Sequence, residues 1–115
     1  MSLFAVDATD IDVVAGQLEP VVGIPFDRRD SSFWGEYDLF DDGRVKVHVF
    51  YNRDPMFEEG DPPEEMFFQH AFRDHAVLVD VYGDDDLDAR IGRALFATFP
   101  GSTTVQGGTT VRLRR

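Results

Sequence analysis

The chain contains no cysteine, which removes disulfides, thiolate nucleophiles and Cys-zinc sites together. It has a single lysine, Lys46, and a single tryptophan, Trp34. No apolar run approaches the roughly 18 residues that a membrane span requires. No basic segment followed by an apolar one opens the chain, so no signal peptide is expected and a cytoplasmic location is the simplest reading. Positive charge is scarce as well. Lys and Arg number 11 against 22 Asp plus Glu, a formal net charge of -11. Nucleic acid and anionic membrane surfaces require a positive face, so neither is expected as a partner.

What remains is the material for a core. The 115 residues are 43% hydrophobic and 13% aromatic, with 11 Phe, enough to separate this composition from that of a disordered acidic chain. The length fits a single domain over 1–115. The bias toward Arg over Lys and Asp over Glu fits either a salt-adapted source or GC-rich codon usage. Met1-Ser2-Leu3 reads as a remnant of cloning.

Hydrophobic spacing places the elements. Ile11, Val14, Ala15 and Leu18 form one stripe of a helix over about 10–19, capped by Thr9 or Asp10 and ended by Pro20 and Gly23. Ile24 and Phe26 open a short strand. Residues 33–40 and 44–51 read as a hairpin about Asp41-Asp42-Gly43. A three-residue loop with Gly43 left-handed is expected. It sets Leu39 opposite Val45, Tyr37 opposite Val47 and Phe33 opposite Tyr51 on an apolar face. On the other face it sets Asp38 opposite Lys46, Glu36 opposite His48 and Trp34 opposite Phe50. Residues 52–63 are loop, and 63–73 read as either a short helix or an extended segment. Residues 76–82 form a strand apolar on both faces, interrupted by Asp80. A helix over 85–99 carries the stripe Leu87, Ile91, Ala94, Leu95 and Thr98, with Gly92 as a packing position. Asp84, Asp85 and Asp86 favour its N-terminus, and Asp86 can pair with Arg90. Segments 103–106 and 109–113 flank Gly107-Gly108 as a closing hairpin. The order α-β-β-β-β-α-β defines an α+β domain: one antiparallel sheet of about four to six strands with two helices on one face.

Each chemical candidate has a plainer structural counterpart. Glu36 and Asp38 beside His48 can serve as a small ligand site or a general base with its orienting acid, or as ordinary cross-strand pairs. His70 and His75, five apart, do not share a helix face and read as surface or half-buried histidines, so no metal is expected. The serines lie in no nucleophile turn and the glycines in no phosphate loop. Asp84, Asp85, Asp86 and Asp88 lack the calcium-loop spacing and read as helix capping. No cofactor is expected. Trp34 and Phe50 on the polar face either form a binding surface or lie under a second layer from residues 56–68, which carries Met56, Phe57, Met66, Phe67 and Phe68. If they are covered, any binding surface moves to the acidic loops.

The runs Arg28-Arg29-Asp30-Ser31-Ser32-Phe33-Trp34-Gly35-Glu36-Tyr37, Tyr51-Asn52-Arg53-Asp54 and Phe72-Arg73-Asp74-His75-Ala76-Val77-Leu78-Val79 resemble a group of small, acidic, uncharacterised bacterial proteins similar in size and charge to the immunity partners of secreted toxins. The resemblance spans about half the chain and implies an interaction role rather than a catalytic one. The expected function is therefore a non-catalytic, acidic protein-binding domain that inhibits a basic toxin or nuclease. Trp34, Glu36, Asp38 and Phe50 are the expected contact residues, rimmed by Asp54, Glu58, Glu59 and Asp61. The alternative is a small ligand-binding domain or enzyme using Glu36, Asp38 and His48. A homodimer through the aromatic sheet face is a third arrangement.

Overall fold

The computed structural model describes residues 2–105. Strands β1 (Ser2–Val6), β2 (Asp27–Ser31), β3 (Gly35–Asp41), β4 (Lys46–Tyr51), β5 (Val77–Tyr82) and β6 (Thr103–Thr104) form one sheet in the order β2-β3-β4-β5-β1-β6. Every neighbouring pair is antiparallel. Helices α1 (Ile11–Val22) and α2 (Asp85–Thr98) pack together on one face. This is the α+β sheet with two helices expected from the sequence.

Strand β1 is the element the sequence reading left out. Its residues 3–6 are fully apolar and buried between β5 and β6, so the segment read as a remnant is an inner strand of the sheet. The closing hairpin lies outside the described residues except for 103–105, where Thr103 and Thr104 pair with β1 and Val105 N donates to Leu3 O at 2.9 Å.

Helix α1 buries Ile11, Val14, Ala15 and Leu18, as the spacing predicts, and Asp10 caps it by accepting from the Asp12 N–H. It does not stop at Pro20. The missing Pro20 N–H frees the carbonyl of Gly16, and both residues are exposed, so water can take that bond. Continuing to Val22 lets Val21 and Val22 pack on the core. Gly23, at φ 93°, then ends the helix, its N–H reaching Glu19 O at 2.7 Å. In α2, the Asp84 side chain accepts from Asp86 and Leu87, and Asp86 pairs with Arg90 at 3.8 Å. Arg90 also donates to Val21 O at 2.9 Å, tying the two helices. Leu87, Ile91 and Leu95 are buried and Ala94 is partly so. Thr98 is exposed, and the core contact at this end of the helix comes instead from Phe99. A Cβ on Gly92 would meet the Phe4 ring at 3.2 Å, so glycine allows α2 its close approach to β1.

Strand β2 begins at Asp27, after Ile24 and Phe26. Pro25 has no N–H to give a ladder, so pairing starts beyond it. Asp27, Arg28, Arg29 and Asp30 are all exposed along this outer strand.

The β3–β4 hairpin is where the expected register fails. Asp41 pairs with Lys46, Phe40 with Val47, Leu39 with His48, Asp38 with Val49 and Tyr37 with Phe50. The loop is one residue longer than expected. Asp42 Oδ1 accepts from the N–H groups of Arg44 and Val45, at 2.9 and 2.8 Å, so Val45 belongs to the turn. Gly43 is left-handed as expected. The altered pairing exchanges faces. Glu36, Asp38 and Phe40 now share the helix face with Val47, Val49 and Tyr51. Tyr37 and Leu39 share the other face with Lys46, His48 and Phe50.

That second face is covered in part. Phe68 and Phe72, from residues 52–76, join Trp34 over Phe50, Leu78, Leu3 and Ala5. Residues 63–73 form neither one helix nor an extended strand, but two short 3-10 turns, Pro63–Glu65 and His70–Phe72. Asn52 organises the whole connection. Its Nδ2 group reaches the carbonyls of Gln69, Phe72 and His75 at 3.0–3.2 Å, and its Oδ1 accepts from Gln69 N at 2.8 Å.

Candidate functional site

The register separates the residues that the alternative reading grouped. Glu36 and Asp38 lie on the helix face around Arg28. Arg28 Nε donates to Asp38 Oδ1 at 3.1 Å, Nη1 lies 3.6 Å from Glu36, and Nη2 donates to Asp12 of α1. Asp38 is buried, and burial pushes its carboxyl up to about 6, while Arg28 holds Asp12 below the usual carboxylate range. These acids fasten the β2–β3 edge to α1. They do not form a site with His48, which faces the opposite side of the sheet.

His48 has a different partner. It lies across from Asp80, with Nδ1 4.0 Å from Oδ2. The ring stacks on Phe50 at 4.3 Å and takes the edges of Trp34 and Tyr37 at 4.8 and 4.9 Å. His48 is 8% exposed and Asp80 1%, and each keeps one buried polar atom, Nε2 and Oδ1, without a hydrogen-bond partner. Burial, with Lys46 nearby, pushes the imidazole down to about 4. Burial pushes the Asp80 carboxyl up to about 7. Tyr82, whose hydroxyl donates to Asp80 at 3.5 Å, is pushed up to about 12 by burial and by Asp80. The imidazole is thus neutral at pH 7, and burial drives the carboxyl toward its protonated form. These residues line a groove of about 630 Å³, walled by Trp34, Tyr37 and Tyr82 with Arg44 and Lys46 at its rim. The signal for Asp80 was present in the sequence as the single acid in a doubly apolar strand. Its pairing with His48 depends on a register that was not readable.

Trp34 also borders a second cleft of about 530 Å³, lined by Glu36, Tyr51, Arg53, Asp54, Pro55, Phe57, Phe67 and Arg73. The structure therefore brings Trp34, Glu36 and Asp54 together here. Phe50 is fully buried beneath Trp34 and Phe68. Asp54 is buried in the loop turn, accepting from Met56 N at 2.8 Å, and Asp61 accepts from Glu58 N at 2.9 Å. Glu58 and Glu59 are exposed. The expected contact set thus loses Phe50, Asp38 and Asp54 as exposed residues, because each serves the fold.

His70 is exposed, and His75 is half-buried with Nε2 2.8 Å from Gly101 O. Among the described residues no group of three or more His, Asp or Glu side chains converges as metal ligands. Among the same residues no helix is long and apolar enough to cross a membrane. No family model matches the chain, and no curated protein or solved structure matches it.

Proposed function

We propose that this chain is a non-catalytic, acidic protein-binding domain of the immunity type, which neutralises a basic partner such as a nuclease. The observation that carries the reading is the second cleft. It gathers Trp34, Glu36 and Phe57 around one concavity, with Arg53 and Arg73 also in its lining, and the exposed acids Glu58 and Glu59 follow Phe57 directly in the chain. Aromatic anchors beside a concavity supply residence time, and acids around it speed the approach of a cationic surface. Asn52 ties residues 69–75 to the end of β4, which lowers the ordering cost of binding on that side of the cleft. The contact set is Trp34, Glu36, Glu58, Glu59 and Asp61.

The test is co-expression with the basic proteins encoded next to this gene, followed by association kinetics. A one-to-one complex is expected. Its on-rate should fall steeply with salt and drop about tenfold in a Glu58→Lys/Glu59→Lys variant. If no basic protein binds, or if charge reversal leaves the on-rate unchanged, the reading fails.

A further inference from the structure

We infer that the groove over β3, β4 and β5 binds a small, flat, uncharged heterocycle with a hydrogen-bond donor next to an acceptor, of the nucleobase or pyridine-carboxamide kind. This site adjoins the cleft assigned to a protein partner, and Trp34 lines both.

The floor of the groove supplies the recognition. His48 and Asp80 are both more than nine-tenths buried, and both line the groove. Buried polar groups in a folded protein are nearly always paired. Here His48 Nε2 and Asp80 Oδ1, both closed to solvent, lack partners on adjacent strands of one sheet face, while Asp38 Oδ2, also buried without a partner, lies on the helix face. A neutral imidazole offers one donor and one acceptor, and a carboxyl offers acceptors and, when protonated, a donor as well. Two such groups side by side complement a ligand edge that carries both.

The walls supply the shape. Trp34 and Tyr37 stand edge-on to the His48 ring, with Tyr82 beside Asp80, so the groove favours a planar molecule. Its volume of about 630 Å³ is that of a small-molecule pocket. Charge narrows the class further. Arg44 and Lys46 at the rim, which make no salt bridge among the described residues, oppose a cation. Asp80 below them and Asp41 beside them oppose an anion.

Trp34 is the only tryptophan and borders both the groove and the neighbouring cleft, so its fluorescence reports binding and the floor variants below assign the signal to the groove. The intact chain is titrated with adenine, cytosine and nicotinamide, with benzoate and tetramethylammonium as charged controls. A single-stranded oligonucleotide distinguishes a free base from one held in nucleic acid. At least one neutral probe should give a saturable change, and the controls and the oligonucleotide should bind at least tenfold more weakly. Asp80→Val and His48→Phe should each weaken binding about tenfold. Asp80→Asn keeps a donor and an acceptor and should retain binding. Tyr37→Ala, at a half-exposed wall position suited to a variant that still folds, should weaken it several-fold. The inference is overturned if no neutral probe saturates, if tetramethylammonium or the oligonucleotide binds best, or if Tyr37→Ala and the floor variants leave affinity unchanged. A loss of protein-partner binding with the groove still saturable would remove the functional reading above and leave this one standing.

Discussion

Asn52 shows how much one side chain can organise. Three carbonyls converge on its amide group, and its oxygen takes the Gln69 N–H. Asn52→Ala leaves all four backbone groups in a poorly hydrated turn. It should cost ~3 kcal/mol in urea unfolding and speed amide exchange around Glu58 and Glu59. Nothing in the local sequence marks Asn52, because its partners lie 17 to 23 residues away.

The His48–Asp80 pair makes a sharper residue-scale prediction. Asp80 rises from 3.8 to about 7 on folding, so between those values the folded chain holds a proton that the unfolded chain has lost. Its contribution to stability therefore falls as pH rises across that window. His48 drops from 6.5 to about 4, so the unfolded chain holds the extra proton, and its contribution rises with pH between about 4 and 6.5. The two slopes oppose each other in the native protein. Asp38, raised to about 6, adds a falling slope that is common to every variant considered, and Tyr82 stays neutral throughout. Relative to the native chain, His48→Phe should lose stability with rising pH and Asp80→Asn should gain it, by a few kcal/mol over the window. Urea unfolding at a series of pH values measures both, and parallel curves would refute the assignment.

At the level of elements, α2 and β5 follow the sequence closely, because a 3.6-residue stripe and a continuous apolar run are local signals. The β3–β4 register was less legible. It turns on Asp42 taking two N–H groups of the loop, a side-chain choice that the strand pattern does not signal. That one step moved Asp38 under α1 and left His48 with Asp80, so the error in the site follows from the error in the loop. Strand β1 was missed because a short apolar segment at a chain start has no period of its own to read. Helix α1 passes Pro20 because packing of Val21 and Val22 outweighs one lost bond. Pro20→Ala restores that bond to Gly16, and the chain should gain about 1 kcal/mol in urea unfolding.

For the whole molecule, a net charge of -11 on a small domain is a standing repulsion. Part of it is used within the fold: Asp10 and Asp84 cap helices, Asp42 and Asp61 hold turns, and Asp12 and Asp38 take Arg28. Other acids, such as Glu58, Glu59, Glu64 and Asp85, stand exposed at the surface. Raising NaCl from about 0.02 to about 0.5 M should therefore raise the midpoint of thermal unfolding by several degrees, as the Debye length shrinks below the spacing of surface charges. A midpoint that falls with salt would mean that the surface ion pairs outweigh the repulsion.

Strand β2 bears on how the molecule behaves in a crowd. An outermost strand leaves a row of unused backbone donors and acceptors, the template on which proteins zip together into fibrils. Here that row is flanked by Asp27, Arg28, Arg29 and Asp30. A second β2 laid antiparallel alongside would have to bring such charges into close register and strip water from them. The strand richest in exposed charge thus stands at the margin where the apolar strands β3, β4 and β5 would otherwise begin to recruit neighbours.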